Sequence, residues 1–132
     1  MILIDSNILL DIASQDPEWY SWSSEAVAEA GDSSELGINP IIYAEASVRY
    51  ASPTEFDSAF PEQFFRREPL PYAAAFLAGK AHLAYRKHGG SRLAPLPDFF
   101  IGAHAAVARH RILTRDPRRF RRYFPSVDLI SP

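Results

Sequence analysis

Two short apolar runs in this chain each stop at a polar residue and give way at once to a helix start. Ile2, Leu3 and Ile4 end at Asp5-Ser6-Asn7, and Leu36, Gly37 and Ile38 end at Asn39-Pro40. A run of apolar residues without polar alternation marks a strand buried on both faces. A helix between two such strands commits them to parallel pairing. Trp19, Trp22, Ala26 and Ala30 recur at near-helical spacing between the runs, with Gly31-Asp32 as the expected stop. The N-terminal part of the chain therefore reads as a βαβ unit.

The alternation continues. Asn39 as N-cap and Pro40 at the first helical position start a helix running to about Tyr50, ended before Pro53. Pro53, Pro61, Pro69 and Pro71 bound a segment expected to hold short helical pieces. Ala73, Phe76, Leu77, Lys80, Ala81 and Leu83 to Tyr85 mark a longer helix stopping at Gly89-Gly90, and Pro95 and Pro97 close the loop behind it. A helix from Asp98 to roughly Arg109, a strand at Ile112–Thr114, a short helix from Pro117 to Tyr123 and a last strand from Val127 to Ile130 complete an α/β pattern without internal repeats. A length of 132 residues fits one domain, 1–132, with one core. No apolar stretch approaches the roughly 20 residues of a membrane span. The opening MILIDSN reads as a first strand rather than a secretory signal. The absence of cysteine excludes disulfides and thiolate zinc sites and points to the cytoplasm, so any metal must be held by oxygen or imidazole.

In a parallel α/β sheet the site lies beyond the carboxyl ends of the strands. Asp5 sits at one such end, and Asp116 two residues past Thr114 at another. At 100° per residue Glu45 falls in the arc of Ile41, Ala44 and Val48, the expected inward face of its helix. Asp98 opens a helix apolar on nearly every side. Each acid has a plainer reading: Asp5, Asp98 and Asp116 as helix N-caps, Glu45 as an i,i+4 partner of Arg49. If the four converge, two carboxylates at ~4 Å repel by about 4 kcal/mol at an effective dielectric near 20, so protons or a cation must intervene. Oxygen-only ligands select Mg²⁺ or Mn²⁺.

The net charge of −2 hides an asymmetry. Residues 1–68 carry 13 acids against 3 bases, and residues 69–132 carry 3 acids against 11 bases. Arg109, Arg111, Arg115, Arg118, Arg119, Arg121 and Arg122 crowd one stretch with Phe120, Tyr123 and Phe124. Such a stretch suits a nucleic-acid backbone, and equally suits pairing with the chain's own acidic half or an acidic partner.

Four segments in order, ILIDSNILLD, NPIIYAEAS, PLPDFFIGAHA and ILTRDPRRFRRYFPSVDLISP, resemble the PIN-domain nucleases, and among them the small VapC-type toxins. The resemblance covers almost the whole chain. It implies a PIN-like three-layer α/β/α sandwich with a central, mainly parallel sheet of four to five strands. It further implies a Mg²⁺-dependent endoribonuclease, with Mn²⁺ as substitute, acting on tRNA, rRNA or mRNA, silenced by a cognate antitoxin and expected to form a homodimer. By the family pattern Asp5, Glu45, Asp98 and Asp116 form the metal site, with Asn7 and Thr114 as polar support. Asp5 and Asp98 are the expected direct ligands, and Glu45 and Asp116 hold a second ion or its water shell. A solitary RNA-processing nuclease and a silent binding module are the alternatives within the family.

Other features point elsewhere and are weaker. A haloacid dehalogenase-type phosphatase wants an Asp at position 7, which is Asn, and a receiver domain wants a late-strand Lys, whereas the lysines are only Lys80 and Lys87. His104, amid Ala and Phe, reads as a hydrogen-bonded core residue, and His82, His88 and His110 show no zinc spacing. Gly89-Gly90 lacks the strand and GK[ST] of a phosphate loop, and Arg86 and Arg92 beside it read as solvated. Phe56, Phe60, Phe64, Phe65 and the helix from Tyr72 to Arg86 offer core residues or an apolar partner groove.

Overall fold

The computed structural model describes residues 1–89 and 96–132, so Gly90, Arg92 and Pro95 lie outside the described residues. In chain order the elements are β1 (Ile2–Ile4), α1 (Ser6–Ser14), α2 (Tyr20–Ser33), β2 (Leu36–Ile38), α3 (Pro40–Ser47), α4 (Pro53–Ala59), β3 (Phe65–Arg67), α5 (Tyr72–Lys87), α6 (Leu96–Ala108), β4 (Arg111–Leu113), α7 (Arg118–Tyr123) and β5 (Leu129–Ile130). The five strands form one sheet in the order β3-β2-β1-β4-β5, every pair parallel. In β1, Ile2, Leu3 and Ile4 are all fully buried. Successive strand side chains point to opposite faces, so the sheet is covered on both, as in an α/β/α sandwich.

The strand order fixes where a site belongs. From β1 the chain builds outward through β2 to β3, then returns to the other side of β1 for β4 and β5. The direction of winding reverses between β1 and β4, which leaves a crevice outside the carboxyl ends of those two strands. Asp5 follows β1 directly, and its N–H continues the ladder to the Leu113 carbonyl at 2.9 Å. Thr114 follows β4.

Four expectations are corrected. The Gly31-Asp32 pair does not stop α2, which runs to Ser33 and ends at an extended Ser34; a helical glycine costs only about 1 kcal/mol against alanine, and buried Ala30 packs beside it. Helix α3 ends at Ser47, leaving Val48 77% exposed, and its buried face is centred on Ile42 and Ala46. Glu45 therefore flanks that face instead of lying in an arc with Ala44 and Val48. The Pro-punctuated segment contains an edge strand, β3, whose Phe-Arg-Arg sequence hides it. Phe65 pairs with Leu36 and Arg67 with Ile38, while the Arg67 guanidinium lies 5.6 Å from the rings of both Tyr43 and Phe56. Finally, α6 starts at Leu96, so Asp98 sits inside its first turn rather than at its cap.

Phe56 and Phe60 are buried against Tyr43 and Tyr50, and Phe65 is buried against Phe60, whereas Phe64 is exposed. Among the described residues no helix is long and apolar enough to cross a membrane.

Candidate metal centre

Asp5 occupies the N-cap position of α1, yet its side chain makes no capping bond. Its carboxylate turns toward β4 instead. The Thr114 hydroxyl, fully buried, donates to Asp5 Oδ2 at 2.7 Å. That proton is then spent, so Thr114 Oγ1 serves as acceptor for the Asp116 N–H at 3.1 Å and the Asn7 Nδ2 at 3.4 Å. Asn7 Oδ1 in turn accepts from the Arg115 N–H at 3.3 Å. Asn7 and Thr114 thus tie the segment carrying Asp116 to the start of α1, a larger part for Thr114 than a strand residue ordinarily plays.

Ser6 joins the second acid. Its hydroxyl lies 2.9 Å from Glu45 Oε1 and 3.4 Å from Asp5 Oδ1, and its single proton favours the shorter contact. Among the described residues neither Asp5 nor Glu45 has an ion-pair partner; in particular Glu45 does not pair with Arg49. Burial pushes the Asp5 carboxyl up to about 7, the Thr114 bond opposes this, and the charges of Asp98 and Glu45 add to it. A displacement of that size corresponds to about 4 kcal/mol, more than one hydroxyl bond returns. Glu45 is also raised, by burial first and by Asp98 third, with the Ser6 bond pulling down between them.

The other two acids are held by arginines. Arg119 Nη1 lies 2.5 Å from Asp98 Oδ2. Burial still raises Asp98, against the Arg119 bond and charge and with a contribution from Asp116. Arg118 forms a bidentate pair with Asp116, Nε to Oδ1 at 2.9 Å and Nη2 to Oδ2 at 2.8 Å, and this pair holds Asp116 below the usual carboxylate range. Asp116 precedes Pro117, the cap residue of α7, yet its Oδ1 also accepts the Arg118 N–H at 3.4 Å, so it serves the start of α7 as the capping reading expects, whereas Asp98 does not cap α6.

The four acids from four distant segments are thus electrostatic neighbours: Asp5 with Glu45 and Asp98, Glu45 with Asp98, Asp98 with Asp116. No three of them bring ligand atoms within 4.8 Å of one another. Among the described residues only Glu68, His104 and His110 do. That trio was not legible from spacing, since it joins the residue after an edge strand, a helix and the link between α6 and β4. Asn39 decides its chemistry. The Asn39 Oδ1 caps α3 by accepting from the Ile42 N–H at 2.9 Å, so its Nδ2 is what faces His104 Nδ1 at 3.1 Å. His104 must accept there and carry its proton on Nε2, and burial and His110 both lower its pKa. A neutral ring with one nitrogen protonated and the other engaged suits a buried hydrogen-bonded core residue, as expected, better than a metal ligand.

Sequence reasoning missed a further network. Asp11, buried on α1, receives Arg115 Nε at 2.8 Å, Arg115 Nη2 at 3.0 Å and the Ser23 hydroxyl at 2.8 Å. Its signal was the one used for Glu45, an acid among Ile8, Leu9 and Ile12. Ser6 carried no signal beyond standing next to Asp5. The arginine-rich stretch divides, with Arg115, Arg118 and Arg119 pairing with the chain's own acids and Arg122 lying over the Tyr123 ring at 5.5 Å.

An all-parallel sheet whose winding reverses at a cluster of four acids defines a class of α/β proteins with an acidic centre at the switch point. Within that class the chain belongs to the PIN domain family, whose model matches residues 2–124. No curated protein matches the sequence. Several solved structures share the fold. The VapBC2 complex from Rickettsia felis bound to a promoter DNA fragment aligns with a TM-score of 0.73 at 17% identity, covering 100% of this chain and 99% of that one. VapBC-1 from nontypeable Haemophilus influenzae gives 0.73 at 16% identity over 99% and 98%. A toxin–antitoxin complex from Klebsiella pneumoniae gives 0.66 at 22% identity over 91% and 90%.

Proposed function

We propose that the protein is a divalent-metal-dependent endoribonuclease, served by Mg²⁺ or Mn²⁺, and the toxin of a VapBC-type toxin–antitoxin pair. The observation that carries this reading is the state of Asp5 and Glu45, two neighbouring carboxylates at the sheet's switch point that, among the described residues, meet neutral donors and no cation. Their donor set is oxygen throughout, and the charge they share calls for a cation. Asp5, Asp98, Glu45 and Asp116 would hold it. A bound Mg²⁺ supplies a Lewis acid for a phosphoryl oxygen and lowers the pKa of a water.

The chain's own residues do the positioning. Thr114 fixes the rotation of the Asp5 carboxylate, Ser6 sets Glu45, and Asn7 together with the Asp11–Arg115 pair holds the segment carrying Asp116. The partners implied are RNA, a cognate antitoxin and a second copy of the chain. Tyr72, Phe76 and Leu83 lie in one exposed stripe along α5, 94%, 71% and 49% exposed, which supports contact with another chain. The structural relatives, being VapBC and toxin–antitoxin complexes, support the same reading.

The test is RNA cleavage by the purified chain in Mg²⁺ or Mn²⁺, with and without chelator. Asp5→Asn, Glu45→Gln and Asp98→Asn should each lower the rate by about a hundredfold or more, and chelation should abolish it. Wild-type protein that cuts no RNA in either metal, or variants that cut equally well, would overturn the assignment.

A further inference from the structure

Beside Asp98 and Asp116 opens a cleft of about 310 Å³ walled by Arg118, Arg119, Arg122, Tyr85 and Tyr123. Its volume is at the small end of the ~300–1,000 Å³ typical of ligand sites, enough for one nucleotide and far too small for a duplex. Its walls come from α5, α6 and α7, so three helices must dock to make it. The two half-buried tyrosines stand together, ring centroids 5.7 Å apart at 69°, both braced against buried Phe99. Arg119 lies over Tyr85 at 5.6 Å while bonded to Asp98, and Arg122 lies over Tyr123 at 5.5 Å.

The charges do not balance as a closed structural cluster would. Three guanidinium groups face two carboxylates, and among the described residues Arg122 pairs with no acid. Arg119 uses one of its five N–H groups on Asp98, which leaves the rest of its fork for another anion. Aromatic faces interleaved with arginines are what unpaired bases and their phosphates require, whereas the bases of a duplex are already stacked and out of reach.

We propose that this cleft is a subsite for one nucleotide of single-stranded RNA next to the scissile bond, its phosphate held by Arg118, Arg119 and Arg122 and its base laid against Tyr85 and Tyr123. The proposal rests on the nuclease reading for its substrate, because a cation shared by Asp98 and Asp116 would free positive charge toward the cleft. Arg119, touching both Asp98 and the tyrosine wall, joins the acids to the subsite.

The experiment measures binding of a short labelled single-stranded oligoribonucleotide, and of the same sequence as a duplex, to Asp5→Asn protein in Mg²⁺ over a range of salt. Arg122 is exposed, so Arg122→Ala should fold normally; it should weaken single-strand binding about tenfold and reduce the salt slope by about 0.7. Tyr85→Leu should weaken it about tenfold while Tyr85→Phe, which keeps the ring, stays within about twofold. The duplex should bind more weakly and respond little to the Tyr85 variants. Arg122→Ala and Tyr85→Leu that bind the single strand like the parent, or a duplex that binds equally well, would overturn the subsite. Cleavage by the otherwise wild-type chain reports separately on the nuclease reading, so a failure of the subsite and a failure of that reading are told apart.

Discussion

Asp5 and Asp11 stand six positions apart at either side of the first turns of α1, and they are almost equally buried, 4% and 2% exposed. Their surroundings differ completely. Asp11 has a bidentate arginine and a serine hydroxyl, so each of its oxygens meets a donor and its charge meets a cation. Asp5 has the Thr114 hydroxyl, a longer contact with the Ser6 hydroxyl that Glu45 holds, and two neighbouring acids. Burial alone does not separate the two acids; the cation that Asp11 meets and Asp5 does not is what separates them. Asp11 is best read as a clasp between α1 and the segment after β4, and Asp5 as a group kept in want of a positive charge.

The largest expected effect concerns Asp5. Its pKa in the folded, metal-free protein is raised from 3.8 to about 7. The folded state therefore binds this proton more tightly than the unfolded chain does, and the stability gained is full below the unfolded value and lost as pH rises through about 7. Metal-free protein should be less stable at pH 8 than at pH 4, and Asp5→Asn should remove the largest part of that slope, gaining up to about 4 kcal/mol at pH 8, while Glu45 and Asp98, also raised, keep a smaller slope of the same sign. Urea unfolding at the two pH values measures it. Adding Mg²⁺ should rescue the wild type more at pH 8 than at pH 5. A variant that loses stability at pH 8 would put Asp5 in the same structural class as Asp11 and break the comparison.

Asp11→Ala should do the opposite and cost about 3 kcal/mol by the same measurement, since Arg115 and Ser23 lose their partner. Arg115→Ala should share most of that cost, so that the double variant loses far less than the two single losses combined. Additive losses would mean that the pair is not the clasp the geometry describes.

The smallest effect sharpens the contrast within the Asp5 surroundings. Thr114→Val keeps the shape and removes the donor to Asp5 Oδ2 together with the acceptor of the Asp116 N–H, which should cost about 1–2 kcal/mol and push the Asp5 carboxyl above 7. The pH at which stability stops falling in the metal-free protein should move up accordingly. An unchanged midpoint would show that Thr114 does not govern Asp5.

Much of the fold was legible because its signals are local. The apolar runs at Ile2–Ile4 and Leu36–Ile38, the Asn39-Pro40 helix start and the helix from Tyr72 each follow from residues within a turn or two of one another. The edge strand β3 was not, because Arg66 and Arg67 are made strand by pairing with β2 and by the rings beneath Arg67 rather than by their own propensity. The extent of α3 failed likewise, Val48 being apolar in composition and exposed in place.

The candidate site divides in the same way. The sequence by itself determined that acids stand where strands end, at Asp5 and Asp116, and on helices at Glu45 and Asp98, because strand–helix alternation is written in short-range hydrophobic pattern. Only the tertiary structure decided which of them keep a cation and which do not. Thr114 reaches Asp5 across 109 positions, Arg115 reaches Asp11 across 104, and Arg119 reaches Asp98 across 21. Such pairings depend on which strand lies beside β1 and on the direction in which α6 and α7 return over the sheet. Electrostatic fate follows distance in space, and the order β3-β2-β1-β4-β5 sets that distance.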